Sequence, residues 1–329
     1  MAPTKVVVTG AAGFIGSHLT EACLARGWDV TTIDSMTTYY SPAAKVTNAL
    51  AFSSHPRCKH LEQDLLDVDL PALIEGAEHI FHLAAQAGVR ASWGQTFDVY
   101  TQLNVTVFQR LLEAAREASA LKSFIFASSS SVYGESESMP TTEDQILRPL
   151  SPYGATKALG EHLAYLYYRT YGVPTISLRY FSVYGSRQRP DMAFHRAIEA
   201  AIDGQDFYLN GDGTQSRDFT HVHDIVEGTL LAATYGKAGR VYNLGGGGNE
   251  AMTRVLELVK ELAGNFCVRT RPPQQGDVHD TSASIDRARR ELGYNPAWDL
   301  RKGLVEQIDW HVNRERAPAV SLGRAETPH

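Results

Sequence analysis

The chain has 329 residues, 43% of them hydrophobic and 21% charged, with a formal net charge of −6. This is the make-up of an ordinary globular protein, large enough for one big domain or two modest ones sharing a core. The basic excess that a phosphate backbone demands is missing, so no nucleic-acid partner is expected. No apolar run approaches the roughly 20 residues that span a bilayer, so no membrane association is expected either. The first strand pattern, "KVVVTG", begins within a few residues of Met1 with no signal peptide before it, which implies a cytoplasmic address. Cys23, Cys58 and Cys267 are far apart and odd in number, which argues against a disulfide framework or a zinc site. None of the twelve histidines forms an HxxxH or HExxH pair, and no metal is expected. His221 and His223, in "RDFTHVHDI", share a face in strand-like alternation and read as a polar face near a loop.

Apolar β-rich runs alternate with helical stretches through the first half. Residues 5–9 read as a buried parallel strand, 14–27 as a helix and 29–33 as a second strand. Strands at 79–83 ("HIFHL"), 123–127 ("SFIFA") and 175–179 ("TISLR") continue the series, with helices around 101–118 and 153–171 between them. Such alternation implies βαβ units and a doubly wound parallel sheet of Rossmann type. After Tyr184 the character changes, with charge, proline and aromatics mixed in "GSRQRPDMAFHRAI". The expected division is therefore a dinucleotide-binding domain over 1–183, to which the chain returns at about 218–246. A smaller, interleaved substrate-binding region takes 184–217 and 247–329. The tail from about Glu315 is expected to be loose.

The first strand runs straight into Gly10-Ala11-Ala12-Gly13-Phe14-Ile15-Gly16, and a helix follows. Glycines there allow a tight turn and let a pyrophosphate approach the helix N-terminus, whose N–H groups and dipole favour anionic oxygens. Alone, such a triplet also marks a plain strand-to-helix turn. Here the second strand ends in Asp34, a carboxylate placed to accept from both adenosine ribose hydroxyls and to repel a 2′-phosphate. No arginine follows it directly, so NAD is expected rather than NADP. Asp64 and Leu65, after a third strand, suit the adenine edge, and a solvated loop acid suits Asp64 equally well.

Tyr153 and Lys157 are four residues apart at a helix start, so they share a face. A phenol titrates near 10, too high for a base at neutral pH, whereas a close ammonium favours phenolate. Lowering the value by about 3 units corresponds to about 4 kcal/mol. Upstream, Ser128-Ser129-Ser130-Ser131 closes a buried strand at its carboxyl end, where open α/β sheets bind ligands.

Over nearly its whole length the chain resembles the extended short-chain dehydrogenase/reductases that act on nucleotide sugars. The resemblance rests on "VTGAAGFIGSHL", "HLAAQAGVR", "ASSSSVYG", "SPYGATKALGEHL", "RYFSVYG", "GDGTQSRDFTHVHDIVEG" and "QQGDV". It implies that Tyr153 is the general base, that Lys157 holds the cofactor ribose, and that Ser129 binds the reacting sugar hydroxyl. It also implies that Ala84, Ala85, Gln86 and Tyr180 line the cofactor, with Asn104 supporting the loops around it. The helices near 101–118 and 153–171 resemble the pair that forms a homodimer interface in relatives.

Branches of the family share hydride transfer to NAD and differ in the fate of the keto sugar. Dehydratases carry Asp-Glu before the "VYG" turn and UDP-glucuronate decarboxylases a glutamate, whereas this chain has Ser130-Ser131. The remaining outcome is 4-epimerisation with NAD recycled. "SVYGSRQRPDMAF" is similar to the "RPDMA" segment of UDP-glucuronate 4-epimerases, which implies a UDP-hexuronic acid substrate. The alternatives are a neutral UDP-hexose (UDP-glucose or UDP-N-acetylglucosamine) and a non-catalytic NAD sensor, which the intact Tyr153–Lys157 pair argues against. Arg187 and Arg189 are candidates for the uronate carboxylate, Arg189 favoured by position. The resemblance further assigns Arg217 to the pyrophosphate, Asp277 to the nucleotide ribose and Tyr208 to a wall beside the base. Ser182, where many relatives show asparagine, offers a smaller hydroxyl contact.

Overall fold

A computed structural model describes residues 2–316, so the tail expected to be loose lies, beyond Arg316, outside the described residues. In chain order the elements begin β1 (Lys5–Thr9), α1 (Phe14–Ala25), β2 (Asp29–Asp34), α2 (Pro42–Leu50), β3 (Cys58–Glu62), α3 (Leu70–Leu73) and β4 (His79–His82). Then come α4 (Phe97–Thr101), a π-helical turn at Gln102–Thr106, α5 (Val107–Ala115), β5 (Ser123–Ser129), α6 (Pro152–Tyr171) and β6 (Thr175–Tyr180). The second half holds β7 (Val183–Tyr184), α7 (Ala193–Asp203), β8 (Phe207–Asn210), β9 (Ser216–Arg217), β10 (Thr220–His221), α8 (Val222–Tyr235) and β11 (Val241–Leu244). It closes with β12 (Glu250–Ala251), α9 (Met252–Ala263), β13 (Val268–Arg271), α10 (Asp286–Leu292) and α11 (Leu300–Arg316).

Seven parallel strands form the central sheet in the order β11-β6-β5-β4-β1-β2-β3. Alternation along each strand sends successive side chains to opposite faces. Val6 and Val8 of β1 pack in one core with α1, α8 and α10, while Val7 packs in another with α3, α5 and α6. Both faces are thus covered, which is the doubly wound α/β arrangement expected of parallel strands. The order reverses between β1 and β4, and such a switch point opens a crevice at the strand carboxyl ends.

A third core, built on α7, α9 and α11, forms the smaller region. The stretch from Ala283 to Tyr294 differs from the expected division. Its Ala283, Ile285, Ala288, Leu292 and Tyr294 pack in the main core, beside α8 and β11. Hydrophobic periodicity reveals that this segment is buried without revealing which core buries it. His221 ends β10 and caps α8, accepting the His223 N–H. The rings of both histidines stack on Trp298, at 4.0 and 5.4 Å, as one face, but His221 is buried rather than part of a polar surface.

Candidate active site

The crevice is floored by the turn from β1 into α1. Gly10 has φ +70°, and a Cβ there would lie 2.7 Å from the Ala84 nitrogen; one on Gly16 would lie 2.1 Å from the Gly10 oxygen. Those two positions accept no side chain, so the backbone stays bare for a close-lying ligand. Gly13 precedes α1 without any side-chain cap, which leaves the first N–H groups of Phe14, Ile15 and Gly16 directed outward as an anion cradle.

Asp34 ends β2 beside this cradle. Its Oδ2 accepts from the Ala12 N–H at 3.1 Å and its Oδ1 from the Met36 N–H at 2.9 Å, fixing the carboxylate while leaving lone pairs for ribose hydroxyls. Lys45, from α2, lies 3.7 Å from the same carboxylate and donates to Thr37 at 2.9 Å. Burial pulls the Lys45 pKa down, and Asp34 opposes that. This cation beside Asp34 carries no signal in the sequence, because Lys45 stands on a separate helix, α2, and not directly after the acid. It is taken up by Asp34 and Thr37.

Gly10, Gly13, Phe14, Ile15, Gly16, Asp34, Asp64, Leu65, Ala84, Ala85, Gln86, Tyr153, Lys157 and Tyr180 all line one cleft. Asp64 is also tied to its own turn, its Oδ1 accepting from the Leu66 N–H at 2.9 Å. Tyr39, Tyr40 and Gln63 line the cleft as well and carried no recognisable signal. Asn104 is not a lining residue. From the π-helical turn it accepts from the Gln86 N–H at 2.8 Å and donates to the Gln86 carbonyl and to Thr156 Oγ1, bracing the 84–86 loop against α6.

Helix α6 is set by its ends. Ser151 accepts from the Gly154 N–H at 3.0 Å, Pro152 opens the first turn, and Gly172 closes the helix at φ +74°. Its face against β5 is shaved to glycine: a Cβ at Gly160 would lie 2.4 Å from the Phe126 ring, and one at Gly154 would lie 2.5 Å from the Ser131 carbonyl. This closeness delivers Tyr153 and Lys157 to the carboxyl end of β5.

The two side chains lie on one face, as their spacing predicts, but each has a nearer partner. The Lys157 Nζ donates to the Ala127 carbonyl at 2.7 Å and sits 6.0 Å from the centre of the Tyr153 ring. Burial lowers its pKa to about 8, against the opposing charge of Glu161. Burial raises the Tyr153 pKa, and the forces opposing this are the Arg189 guanidinium and hydrogen bonding with Ser129. A strand-end carbonyl thus holds the Lys157 ammonium, and the Arg189 guanidinium is a second positive charge acting against the burial of the phenol.

Ser129 Oγ accepts from the Ser131 N–H and donates to Ser131 Oγ, both at 3.1 Å, within the turn that ends β5. Ser128 turns inward onto Glu161, which makes a buried two-pronged ion pair with Arg179 at 2.9 and 2.6 Å. Ser129, Ser130, Ser131 and Ser182 are not among the lining residues of the cofactor cleft. The first three form the turn beside Tyr153, and Ser182 lies in the link from β6 to β7.

Of the two candidate arginines, only Arg189 lines the cleft. Its Nε and one terminal nitrogen each donate to Asp191 at 2.9 Å, and its guanidinium lies 5.8 Å from the centre of the Tyr39 ring. Arg187, held at φ +61°, turns to Glu21 of α1 at 2.6 Å.

A second cleft, of about 720 Å³, is lined by Arg217 and Asp277 together with Asn210, Gln215 and Arg271. Arg217 donates to the carbonyls of Ser216, Val278 and His279, while Asp277 pairs with Arg90 at 2.7 Å. Tyr208 is not among the lining residues; the Arg271 guanidinium, which is, lies 3.8 Å from the centre of the Tyr208 ring. The sequence reading missed Arg90 and Arg271, which are separated from their partners by long stretches of chain.

The NAD dependent epimerase/dehydratase family model matches residues 6–245. The uncharacterized UDP-glucose epimerase YtcB of Bacillus subtilis (strain 168) is 42% identical, over 92% of this chain and 96% of its own. UDP-glucuronate 4-epimerase 4 of Arabidopsis thaliana is 37% identical, over 94% of this chain and 75% of its own. The crystal structure of UDP-glucuronic acid 4-epimerase from Bacillus cereus, in complex with UDP-glucuronic acid and NAD, superposes with a TM-score of 0.92 at 38% identity. It covers 94% of this chain and 100% of its own. With a glycine cradle, an acid at the end of the second strand and a Tyr–Lys helix gathered at one switch point, the chain belongs to the NAD dependent epimerase/dehydratase family.

Proposed function

We propose that the chain interconverts UDP-glucuronate and UDP-galacturonate by NAD-dependent 4-epimerisation through a transient 4-keto sugar. The observation that carries this reading is the Arg189 guanidinium, the one arginine among the described residues that lines the cleft holding Tyr153. The residues fit a dinucleotide: the cradle at Gly10 and Gly16 has no room for a Cβ, and Asp34 keeps lone pairs toward the ribose. When bound, NAD takes up and returns the hydride at sugar C4.

The chain's own groups do the rest. Tyr153 accepts the C4 hydroxyl proton and gives it back after the keto sugar has turned over. Lys157, anchored on the Ala127 carbonyl, holds the cofactor ribose, and Ser129 orients the reacting hydroxyl. Ser130 and Ser131 offer no acid, so elimination of water has no catalyst. The uronate raises a particular difficulty, because its 4-keto form is a β-keto acid that loses CO2 when the carboxylate bond aligns with the carbonyl π system. Arg189, by a two-pronged charge-assisted contact, holds the carboxylate out of that alignment. The smaller region carries the UDP moiety, with Arg217 at the pyrophosphate and Asp277 and Tyr208 toward the nucleoside.

NMR of the product formed from UDP-glucuronate without added NAD tests the reading. Accumulation of UDP-galacturonate is expected, and inertness toward the uronate refutes it. One observation favours a second reading, a neutral UDP-hexose epimerase: Arg189 already holds a carboxylate, that of Asp191. Preferred turnover of UDP-glucose in the same assay selects it. We further propose a homodimer, supported by the exposed apolar Leu159 and Leu166 one heptad apart on α6 and Val99 on α4. Light scattering on the eluting protein checks it. A cytoplasmic location is proposed on the three free cysteines. Among the described residues no helix is long and apolar enough to cross a membrane.

A further inference from the structure

Away from both clefts, α7 and α11 share a group of polar side chains that the reaction does not use. His195 and Glu199 lie four residues apart on one face of α7. His311 of α11 faces them, its ring centre 4.4 Å from that of His195 at 73°. One ligating atom from each of the three lies within 4.8 Å of the others. His311 is fully buried against Trp310, and among the described residues neither of its ring nitrogens has a hydrogen-bond partner. Buried polar atoms are paired as a rule, so an imidazole with both nitrogens unmet asks for a ligand.

His195 gives the second sign. Its Nδ1 donates to the Gln188 carbonyl at 2.7 Å, so the neutral ring turns the Nε2 lone pair toward Glu199 Oε1, 2.9 Å away. Two acceptors then face each other, and a cation between them resolves the conflict. An N–H to a backbone carbonyl is also the outer contact that metal-binding histidines make.

We propose that His195, Glu199 and His311 form a structural site for a divalent transition-metal ion of zinc type, which clips α11 to α7. Two imidazoles and a carboxylate suit zinc, and the half-exposed Glu199 leaves the fourth position of a tetrahedron open to water. Bonds of about 2.1 Å set the edge of a tetrahedron at about 3.4 Å, so His311 closes in from within 4.8 Å while the His195–Glu199 pair opens from 2.9 Å. Arg314 takes one lone pair of Glu199 Oε1 at 3.1 Å, and the carboxylate has others to offer. The ion also bears on the loop that carries Arg189. Gln188 Oε1, one residue before it, accepts both the His195 N–H and the Gln307 amide at 3.0 Å. No close-set histidine pair marks the site in the sequence, because its two histidines lie on separate helices.

The test uses untagged, NAD-bound protein stripped with a chelator and then titrated with Zn²⁺ by calorimetry, with Co²⁺ as a spectroscopic probe. One equivalent is expected to bind, raise the melting temperature and, as Co²⁺, show the absorption bands of a four-coordinate ion. His311→Gln and Glu199→Gln should each weaken binding by at least about 100-fold, beyond the loss of an outer contact alone. Glu199 is partly exposed, so its variant remains informative if the His311 variant fails to fold. The exposed His55→Gln should leave the equivalent in place. A parent protein that binds no more Zn²⁺ than Glu199→Gln overturns the site and leaves an imidazolium–carboxylate pair in its stead.

Discussion

Arg189→Ala separates recognition of the uronate carboxylate from tuning of the base. A charge-assisted contact shielded from water is worth about 1.5–3 kcal/mol, which converts to a loss of roughly 12- to 150-fold on the charged sugar. A second loss strikes any sugar. Arg189 opposes the burial that raises the Tyr153 pKa, so its removal lets that pKa climb further and thins the phenolate. Asp191, 44% exposed in its side chain, falls back on water, so little folding stability is at stake. Initial rates on UDP-glucuronate and UDP-glucose at pH 7 and pH 9 distinguish the two effects. The common loss should shrink at the higher pH, where the phenol ionises more readily. The ratio of kcat/KM between the sugars should fall by the carboxylate factor at both. Loosening the carboxylate should also let some β-keto intermediate lose CO2, giving a trace of UDP-pentose. A ratio unchanged by the substitution refutes the clamp, and Arg187 is then the next residue to replace.

Tyr153→Phe should cut turnover roughly 10²–10⁴-fold while calorimetry still shows UDP-sugar binding, and activity within a few-fold of the parent removes Tyr153 from the base role. Gly160→Ala forces a methyl to 2.4 Å from the Phe126 ring and should cost about 1–3 kcal/mol, read as a lowered melting temperature with activity falling alongside. Stability should fall in mild acid. Burial, the largest cause at both sites, lowers the pKa of His18 and of His82 to about 3, with the charge of Arg187 and of Lys157 respectively acting the same way. The unfolded chain binds those protons from about pH 6.5 downward while the fold refuses them until about pH 3. Each group therefore withdraws on the order of 1.4 kcal/mol per pH unit across that window. Melts that are flat between pH 7 and pH 5 contradict this.

What was legible in the sequence is what local chain geometry dictates. Gly10 and Gly16 stand where no Cβ fits, Asp34 ends the strand beside them, and Tyr153 and Lys157 share a face because four residues make about one helical turn. Each of these is a short-range relation, and the cleft gathers them as one site. What stayed hidden depends on contacts between distant parts of the chain. Lys45 reaches Asp34 only once α2 has folded over the cradle, and Arg90 meets Asp277 across most of the chain. The Glu161–Arg179 pair joins α6 to the neighbouring strand β6, and no periodicity marks either residue as buried and paired. Side-chain direction was equally out of reach. Spacing places Lys157 on the face of Tyr153, but the carbonyl that β5 presents at Ala127 decides where its ammonium points.

That choice of partner bears on how one phenol serves both halves of an epimerisation. Such an enzyme removes a proton and must return it to the same oxygen, so a base that is strong throughout would stall the second half. Here burial keeps the resting Tyr153 protonated, and the opposing influences come from Arg189 and Ser129. Arg189 lines the cleft and Ser129 belongs to the turn beside Tyr153, so on the proposed reading a bound sugar acts on the base through them. Lys157 is held apart, its own charge weakened by burial and supported by Glu161, which is in turn fixed by Arg179. On the proposed reading, Lys157 anchors the cofactor ribose from a position fixed by the Ala127 carbonyl, while Tyr153, with Arg189 opposing the effect of its burial, both takes and gives the proton.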